Sequence, residues 1–274
     1  TMSNALLTGI RGVIFDYGGT LDTRGDHWSH ILRQGWERCG IKTDIEQFRR
    51  AYVYAERALA AHRIITPEDD FLTLLRKKVL IELCCHEGLL PEDPKTAGVY
   101  DRALEAADDA LKGTAERIAV YCNNYARACI DEARPVLEAL AAHFPMVLVS
   151  NFYGNVDAVL RGMDIRQYFA GIIESAVVGI RKPDARIYAL GVMALPVTEE
   201  ARAAGDTCDI FGHESGAWLR PESVLVVGDS LSKDIYPARS IGCRTAWIKG
   251  RGWTEAEDSA SDPALIPSLA ALMP

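Results

Sequence analysis

Two short apolar runs rich in β-branched residues each lead into an aspartate. Gly12-Val13-Ile14-Phe15 runs into Asp16, and Val224-Leu225-Val226-Val227 runs through Gly228 into Asp229. A strand that is apolar on both faces belongs inside a parallel sheet covered by helices. A carboxylate at the end of such a strand is costly to bury unless it is paired or has chemical work to do. It also falls where open α/β sheets bind their ligands, outside the carboxyl ends of the strands. For either aspartate alone, a simple turn cap is the plainer alternative.

Further runs of the same kind are Met146-Val147-Leu148-Val149, Ile172-Ile173 and Thr245-Ala246-Trp247-Ile248. Helix-like stretches lie near them at Arg134 to Phe144, Ala185 to Leu195 and Asp234 to Ile241. Alternating strands and helices imply βαβ units and a doubly wound sheet. The stretch from Asp26 to Ile130 has no comparable strand run. It reads as helices over His27 to Cys39, Ile45 to His62, Glu68 to Glu87 and Val99 to Ile130, with Pro67 in a first turn. The expected fold class is therefore α/β: a Rossmann-like parallel sheet core with an inserted all-helical domain. The core takes residues 1–22 and 132–274, and the insertion takes 23–131. The tail after Arg251 is expected to end in a short helix.

Composition narrows the function classes. A net charge of −8 and a pI near 5.3 disfavour nucleic acid and anionic membranes as partners. No apolar run is long enough to span a bilayer. The N-terminus lacks a secretory pattern, and Met2 reads as the native start. Seven cysteines, an odd number with no C-x-x-C spacing, suggest reduced thiols and a cytoplasmic protein.

Three other segments can carry chemistry. Ser150 and Asn151 close the second run and can donate hydrogen bonds to a phosphate oxygen, although Ser-Asn is also an ordinary helix N-cap signal. Lys182, in Gly179-Ile180-Arg181-Lys182-Pro183-Asp184, can offset negative charge at a reacting centre, or can be an ordinary surface lysine. Asp234 follows Asp229 by five residues, and carboxylates on adjacent strand ends can share a hard cation such as Mg2+.

Taken in order, these four fragments resemble the motifs of the haloacid dehalogenase superfamily, and the helical insertion is similar in position to that family's C1-type cap. The resemblance covers roughly residues 10–22 and 132–250. It implies Mg2+-dependent hydrolysis of a small phosphorylated metabolite. Asp16 would be the nucleophile, forming a phospho-aspartyl intermediate. Ser150, with Asn151 beside it, would bind phosphate, and Lys182 would neutralise charge. Asp16, Asp229 and the Gly18 carbonyl would hold the metal. Asp234 would orient water or Lys182.

One position departs from the pattern. The family's phosphatases usually carry a second aspartate two places after the nucleophile, as general acid and base. Here that position is Gly18. Such a group typically contributes ~10²–10⁴-fold in rate. A phosphatase could draw its acid from elsewhere, with Asp22, Asp26 and His27 as candidates, or act on a good leaving group. The alternatives are a C–X bond hydrolase, dehalogenase- or phosphonatase-like, and a non-catalytic binding protein on the same scaffold. Dehalogenases resemble Asp-x-Tyr-Gly-Thr, whereas here Tyr17 directly follows Asp16. The cap lysines Lys42, Lys77 and Lys78 sit in no identifiable motif and read as solvated. Asp22, Arg24, Asp26 and His27 are the expected substrate contacts nearest the nucleophile in sequence. In the irregular Pro196 to Pro221 segment, Cys208, His213 and Glu214 are metal-ligating types without a metal spacing, so a structural loop or subunit contact is expected.

Overall fold

The computed structural model describes residues 4–209 and 217–274. It contains strands β1 (Gly12–Phe15), β2 (Met146–Ser150), β3 (Gly171–Glu174), β4 (Thr207–Cys208), β5 (Trp218–Leu219), β6 (Val224–Gly228), β7 (Arg244–Ile248) and β8 (Leu265–Ile266). Its helices are α1 (Trp28–Arg38), α2 (Ile45–Ala61), α3 (Phe71–His86), α4 (Val99–Ala106), α5 (Asp109–Ala141), α6 (Val156–Gly162), α7 (Ser175–Val178), α8 (Arg186–Ala194), α9 (Glu199–Ala203), α10 (Tyr236–Ser240) and α11 (Glu255–Ser259). The chain divides into two compact units. The first holds the chain up to His27, Ala128–Phe152 and Met163–Pro274; the second holds Trp28–Arg127 and Tyr153–Gly162.

The first unit is built on a six-stranded sheet in the order β3-β2-β1-β6-β7-β8, parallel throughout. Val13 pairs with Met146 on one side and Leu225 on the other, so β1 lies between β2 and β6. Both are wholly buried, as their uninterrupted apolar sequences require. Ile187, Tyr188 and Val192 of α8 pack on Ile14, Val147, Val149 and Val226. Because the strands are parallel, the residues after β1, β2 and β6 emerge at the same edge of the sheet. β4 and β5 form a separate antiparallel pair inside the segment read as an irregular loop. His213 and Glu214 lie outside the described residues. All seven cysteines are free thiols.

The second unit is helical. Asp44 and Asp70 cap α2 and α3, accepting from Gln47 N at 2.7 Å and Thr73 N at 2.8 Å. The Asp70 cap moves the start of α3 to Phe71 and leaves Pro67 in the preceding turn. The unit begins at Trp28 rather than at residue 23, and it also takes in residues 153–162.

The stretch expected as one helix over Val99 to Ile130 breaks at Ala107-Asp108. The Asp108 carboxylate accepts from Leu111 N at 2.7 Å and starts a new helix there. That helix, α5, continues through Pro135 to Ala141, so the helix expected from Arg134 is its last part. A proline removes one helical hydrogen bond, and here the helix survives that loss. The C-terminal segment carries α11, the short strand β8 and a final 3₁₀ turn over Leu269–Leu272.

Lys78 is not solvated as its helical position suggested. Its side chain is 5 % exposed and pairs with Glu56, with the Tyr52 ring 4.3 Å from Nζ. Glu82 is wholly buried 3.7 Å from the same ammonium. Tyr153 donates to Glu56 at 3.0 Å. Among the described residues, no helix is long and apolar enough to cross a membrane.

Candidate active site

The carboxyl edge of the sheet gathers Asp16, Asp229, Asp234 and Lys182. Lys182 Nζ donates to Asp16 Oδ1 at 2.6 Å and to Asp234 Oδ1 at 2.8 Å. The lysine side chain is 2 % exposed, so its charge is held by these carboxylates and not by water. Burial alone would lower the Lys182 pKa, but Asp16 and Asp234 more than offset it, and the net shift is upward. The ammonium is therefore firmly protonated.

Asp234 accepts from three donors. Besides Lys182, Tyr188 OH reaches Oδ1 at 2.7 Å and Ser230 N reaches Oδ2 at 2.9 Å. The close approach needs Gly228, where an added Cβ would sit 2.4 Å from Asp234 Cβ. Asp234 thus holds the lysine.

Asp16 and Asp229 are less well provided. Thr20 Oγ1 lies 3.1 Å from Asp16 Oδ2 and 3.1 Å from Asp229 Oδ1. A hydroxyl has one proton, so it serves one acid at a time. Burial, with the negative charge of Asp234 and Asp16, pushes the Asp229 pKa well above the usual carboxylate range. Burial also raises Asp16, against the opposing pull of Lys182. The turn that brings these groups together requires Gly19, whose φ is +99° and where a Cβ would lie 2.5 Å from Asp229 Oδ2.

Carboxylate oxygens of Asp16, Asp229 and Asp234 lie within 4.8 Å of one another. Three carboxylates against one ammonium leave two negative charges uncompensated when all are ionised. An all-oxygen donor set with that excess suits a hard divalent cation. Asp234 accepts from three donors, Asp16 from Lys182 and Thr20, and Asp229 from Thr20, so Asp229 and Asp16 keep the most lone pairs for such a cation.

Ser150 is buried at the end of β2, beside β1. Asn151, expected on the phosphate, is turned to the main chain of Lys182. Its Oδ1 accepts from Lys182 N at 2.9 Å, and its Nδ2 donates to the Lys182 carbonyl at 3.2 Å. The expected substrate contacts after the nucleophile are engaged within the first unit. Asp22 Oδ1 accepts from Gly19 N at 2.7 Å and pins the nucleophile turn. Arg24 forms a bidentate pair with Glu132 at 2.6 Å, Asp26 binds Arg251 at 2.6 Å, and the His27 ring packs on Trp253. At Gly18, an added Cβ would meet nothing within 4 Å.

Thr20 and Tyr188 escaped the sequence reading. Tyr188 carried a usable signal: a tyrosine early in a helix packed on the sheet needs a partner for its hydroxyl. Thr20 carried none beyond its place in a glycine turn.

Comparison with known proteins gives the family and the fold. The family profile of haloacid dehalogenase-like hydrolases matches residues 10–242. The chain is 26 % identical to a phosphoserine phosphatase of Thermus thermophilus over 62 % of its own length and 61 % of that protein. It is 27 % identical to haloacid dehalogenase-like hydrolase domain-containing protein 3 of Bos taurus over 47 % of its length and 43 % of that protein. The chain thus spans less than two thirds of these curated relatives. Among solved structures, the magnesium-bound HAD-hydrolase YfnB of Bacillus subtilis shares the fold with a TM-score of 0.53 at 15 % identity, over 96 % of both chains. The L-2-haloacid dehalogenase PA0810 does so with a TM-score of 0.50 at 17 % identity, over 96 % of this chain and 98 % of that one.

Proposed function

The chain belongs to the haloacid dehalogenase-like hydrolases, and on that premise we propose that it hydrolyses a phosphate monoester of a small metabolite, using Asp16 as nucleophile and Mg2+ as cofactor. The observation that carries this reading is the uncompensated charge of Asp16 and Asp229 beside Lys182. A phosphoryl group brings further negative charge, so such a site works only with a cation present. Displacement of a halide from carbon makes no such demand, and the acidic cluster would hinder a carboxylate-bearing halide substrate.

Bound between Asp16, Asp229 and the Gly18 carbonyl, Mg2+ would supply the positive charge that offsets the phosphoryl oxygens. Lys182, fixed by Asp234, adds a second positive charge. Ser150 donates a hydrogen bond to a phosphoryl oxygen. The Asp16 carboxylate attacks phosphorus, the ester P–O bond breaks, and the alcohol leaves with a proton. Water then attacks phosphorus of the aspartyl phosphate, releasing inorganic phosphate and restoring the carboxylate. With glycine at position 18, the leaving oxygen takes its proton from water or the substrate, or needs none because the leaving group is good. The helical unit is inserted where the family's cap falls in sequence, and metabolite selection is assigned to it. The seven free thiols fit a reducing compartment such as the cytoplasm.

Hydrolysis of p-nitrophenyl phosphate tests this reading, because its leaving group needs little protonation. Turnover that requires Mg2+, stops with chelator and is lost in Asp16→Asn is expected. Mg2+ binding without turnover on phosphate esters would contradict it.

A further inference from the structure

The helical unit contains a cavity of about 310 Å³, lined by Lys42, Gln47, Arg50, Ala51, Cys85 and His86. That volume is at the lower end of small-molecule sites. Its lining holds no acid, although the chain as a whole carries a net charge of −8. Lys42 follows α1, Gln47 and Arg50 lie on α2, and Cys85 and His86 end α3, so elements distant in sequence converge there.

The charges around this cavity are unbalanced. Among the described residues, neither Lys42 nor Arg50 makes an ion pair. Two of the nearby acids are committed to other work, and Glu46, one turn before Arg50 on α2, pairs with neither cation. Asp44 caps α2, and Glu87, outside the lining, meets His86 Nδ1 at 3.1 Å. His86 is held edge-on to the buried Trp36 ring at 5.3 Å, which fixes the imidazole at the cavity wall. A guanidinium offers a planar donor fork that matches a phosphate, an ammonium adds a point charge, and a carboxamide can donate one more hydrogen bond.

We infer that this cavity is a second ligand site, separate from the Asp16 centre, that binds a small phosphorylated anion between Lys42, Arg50 and Gln47. It does not depend on the phosphohydrolase reading, since none of its residues belongs to the reacting centre.

Cys85 lies in the lining and is half-buried, so its alkylation reports on occupancy. The test uses the full chain with chelator present and inorganic pyrophosphate as probe. The rate of iodoacetamide labelling at Cys85 is followed by peptide mass spectrometry, with half-buried Cys39 as internal reference. Pyrophosphate is expected to slow labelling of Cys85 relative to Cys39. In the double variant Lys42→Gln, Arg50→Gln, the same protection should need at least about tenfold more pyrophosphate. Both side chains are exposed, so the variant keeps the fold. Cys85 labelling that ignores pyrophosphate, or equal protection in the double variant, would overturn the site. Protection by citrate but not by pyrophosphate would overturn the phosphate assignment and point to a polycarboxylate.

Discussion

Asn151 and Lys182 grip each other through the main chain of the lysine, with the Asn151 carboxamide accepting from Lys182 N at 2.9 Å and donating to its carbonyl at 3.2 Å. The lysine must reach Asp16 and Asp234 at once, so its backbone has to be fixed before its side chain can be. Asn151→Ala should lower kcat on p-nitrophenyl phosphate by about 10²-fold, the scale of a small misplacement of a charged group, with KM little changed. A residue whose main role was to bind phosphate would raise KM instead.

Open space at Gly18 leads to a second expectation. No neighbour within 4 Å of an added Cβ excludes a side chain there. Gly18→Asp should therefore gain an acid–base group. Phenyl phosphate, a poor leaving group, should be hydrolysed up to about 10²-fold faster than by the parent protein. The rate on p-nitrophenyl phosphate should barely move. Equal effects on both esters would show that proton transfer does not limit this enzyme.

Repulsion within the acidic cluster links the metal to stability. Without a cation, burying Asp229 beside Asp16 and Asp234 costs stability, because its carboxyl must carry a repelled charge or take up a proton. Saturation with Mg2+ at a hundred times its Kd should add about 2.7 kcal/mol. For a chain of this size that is a rise in Tm of roughly 5–10 °C. Asp229→Asn should abolish the rise, and its metal-free Tm should exceed that of the parent, because the substitution removes that cost. A lower metal-free Tm in that variant would contradict the charge argument.

Glu82 gives the helical unit a pH dependence of its own. Burial lifts its pKa from 4.5 to about 7, against the opposing pull of Lys78. The unfolded chain therefore loses this proton at lower pH than the folded chain. Between pH ~4.5 and pH ~7 the unfolded state binds fewer protons, so stability falls as pH rises and then levels off. The whole change across that range is about 3 kcal/mol, because a tenfold change in proton affinity is worth about 1.4 kcal/mol. Glu82→Gln should flatten this part of the stability–pH curve, as read from urea midpoints across that range. An unchanged slope would mean that Glu82 is not its source.

Much of the site was legible because chemistry and topology coincide in this fold. The apolar runs before Asp16 and Asp229 could only be buried strands, and parallel strands bring their ends to one edge. The strand order β2-β1-β6, which the structure supplies, then places Asp16, Ser150 and Asp229 together. What the sequence could not show was how donors are shared. Asn151 next to Ser150 looks like a second phosphate ligand, and only the path of the chain after α7 reveals that Lys182 lies within its reach. Asp22, Arg24, Asp26 and His27 follow the nucleophile closely, yet local turns and Glu132, Arg251 and Trp253 engage them first.

The helical unit shows the same limit. Helical periodicity marks which residues share a face, but a lysine on a face can be wet or dry. Lys78 is dry because Glu56 and the Tyr52 ring come from α2, a different helix. The break at Asp108 is hidden because Ala107-Asp108 interrupts the helical pattern with neither glycine nor proline, and the run through Pro135 because a proline usually reads as a stop.

The central claim is that Asp16 itself carries the phosphoryl group. The measurement is to quench the protein during turnover of p-nitrophenyl phosphate with Mg2+, reduce it with borohydride and map the peptides by mass spectrometry. An acyl phosphate at residue 16 would be reduced to homoserine, so that conversion should appear at Asp16 only with substrate and Mg2+ present. Steady turnover with Asp16 unmodified, under conditions that trap a control acyl phosphate, would contradict the account.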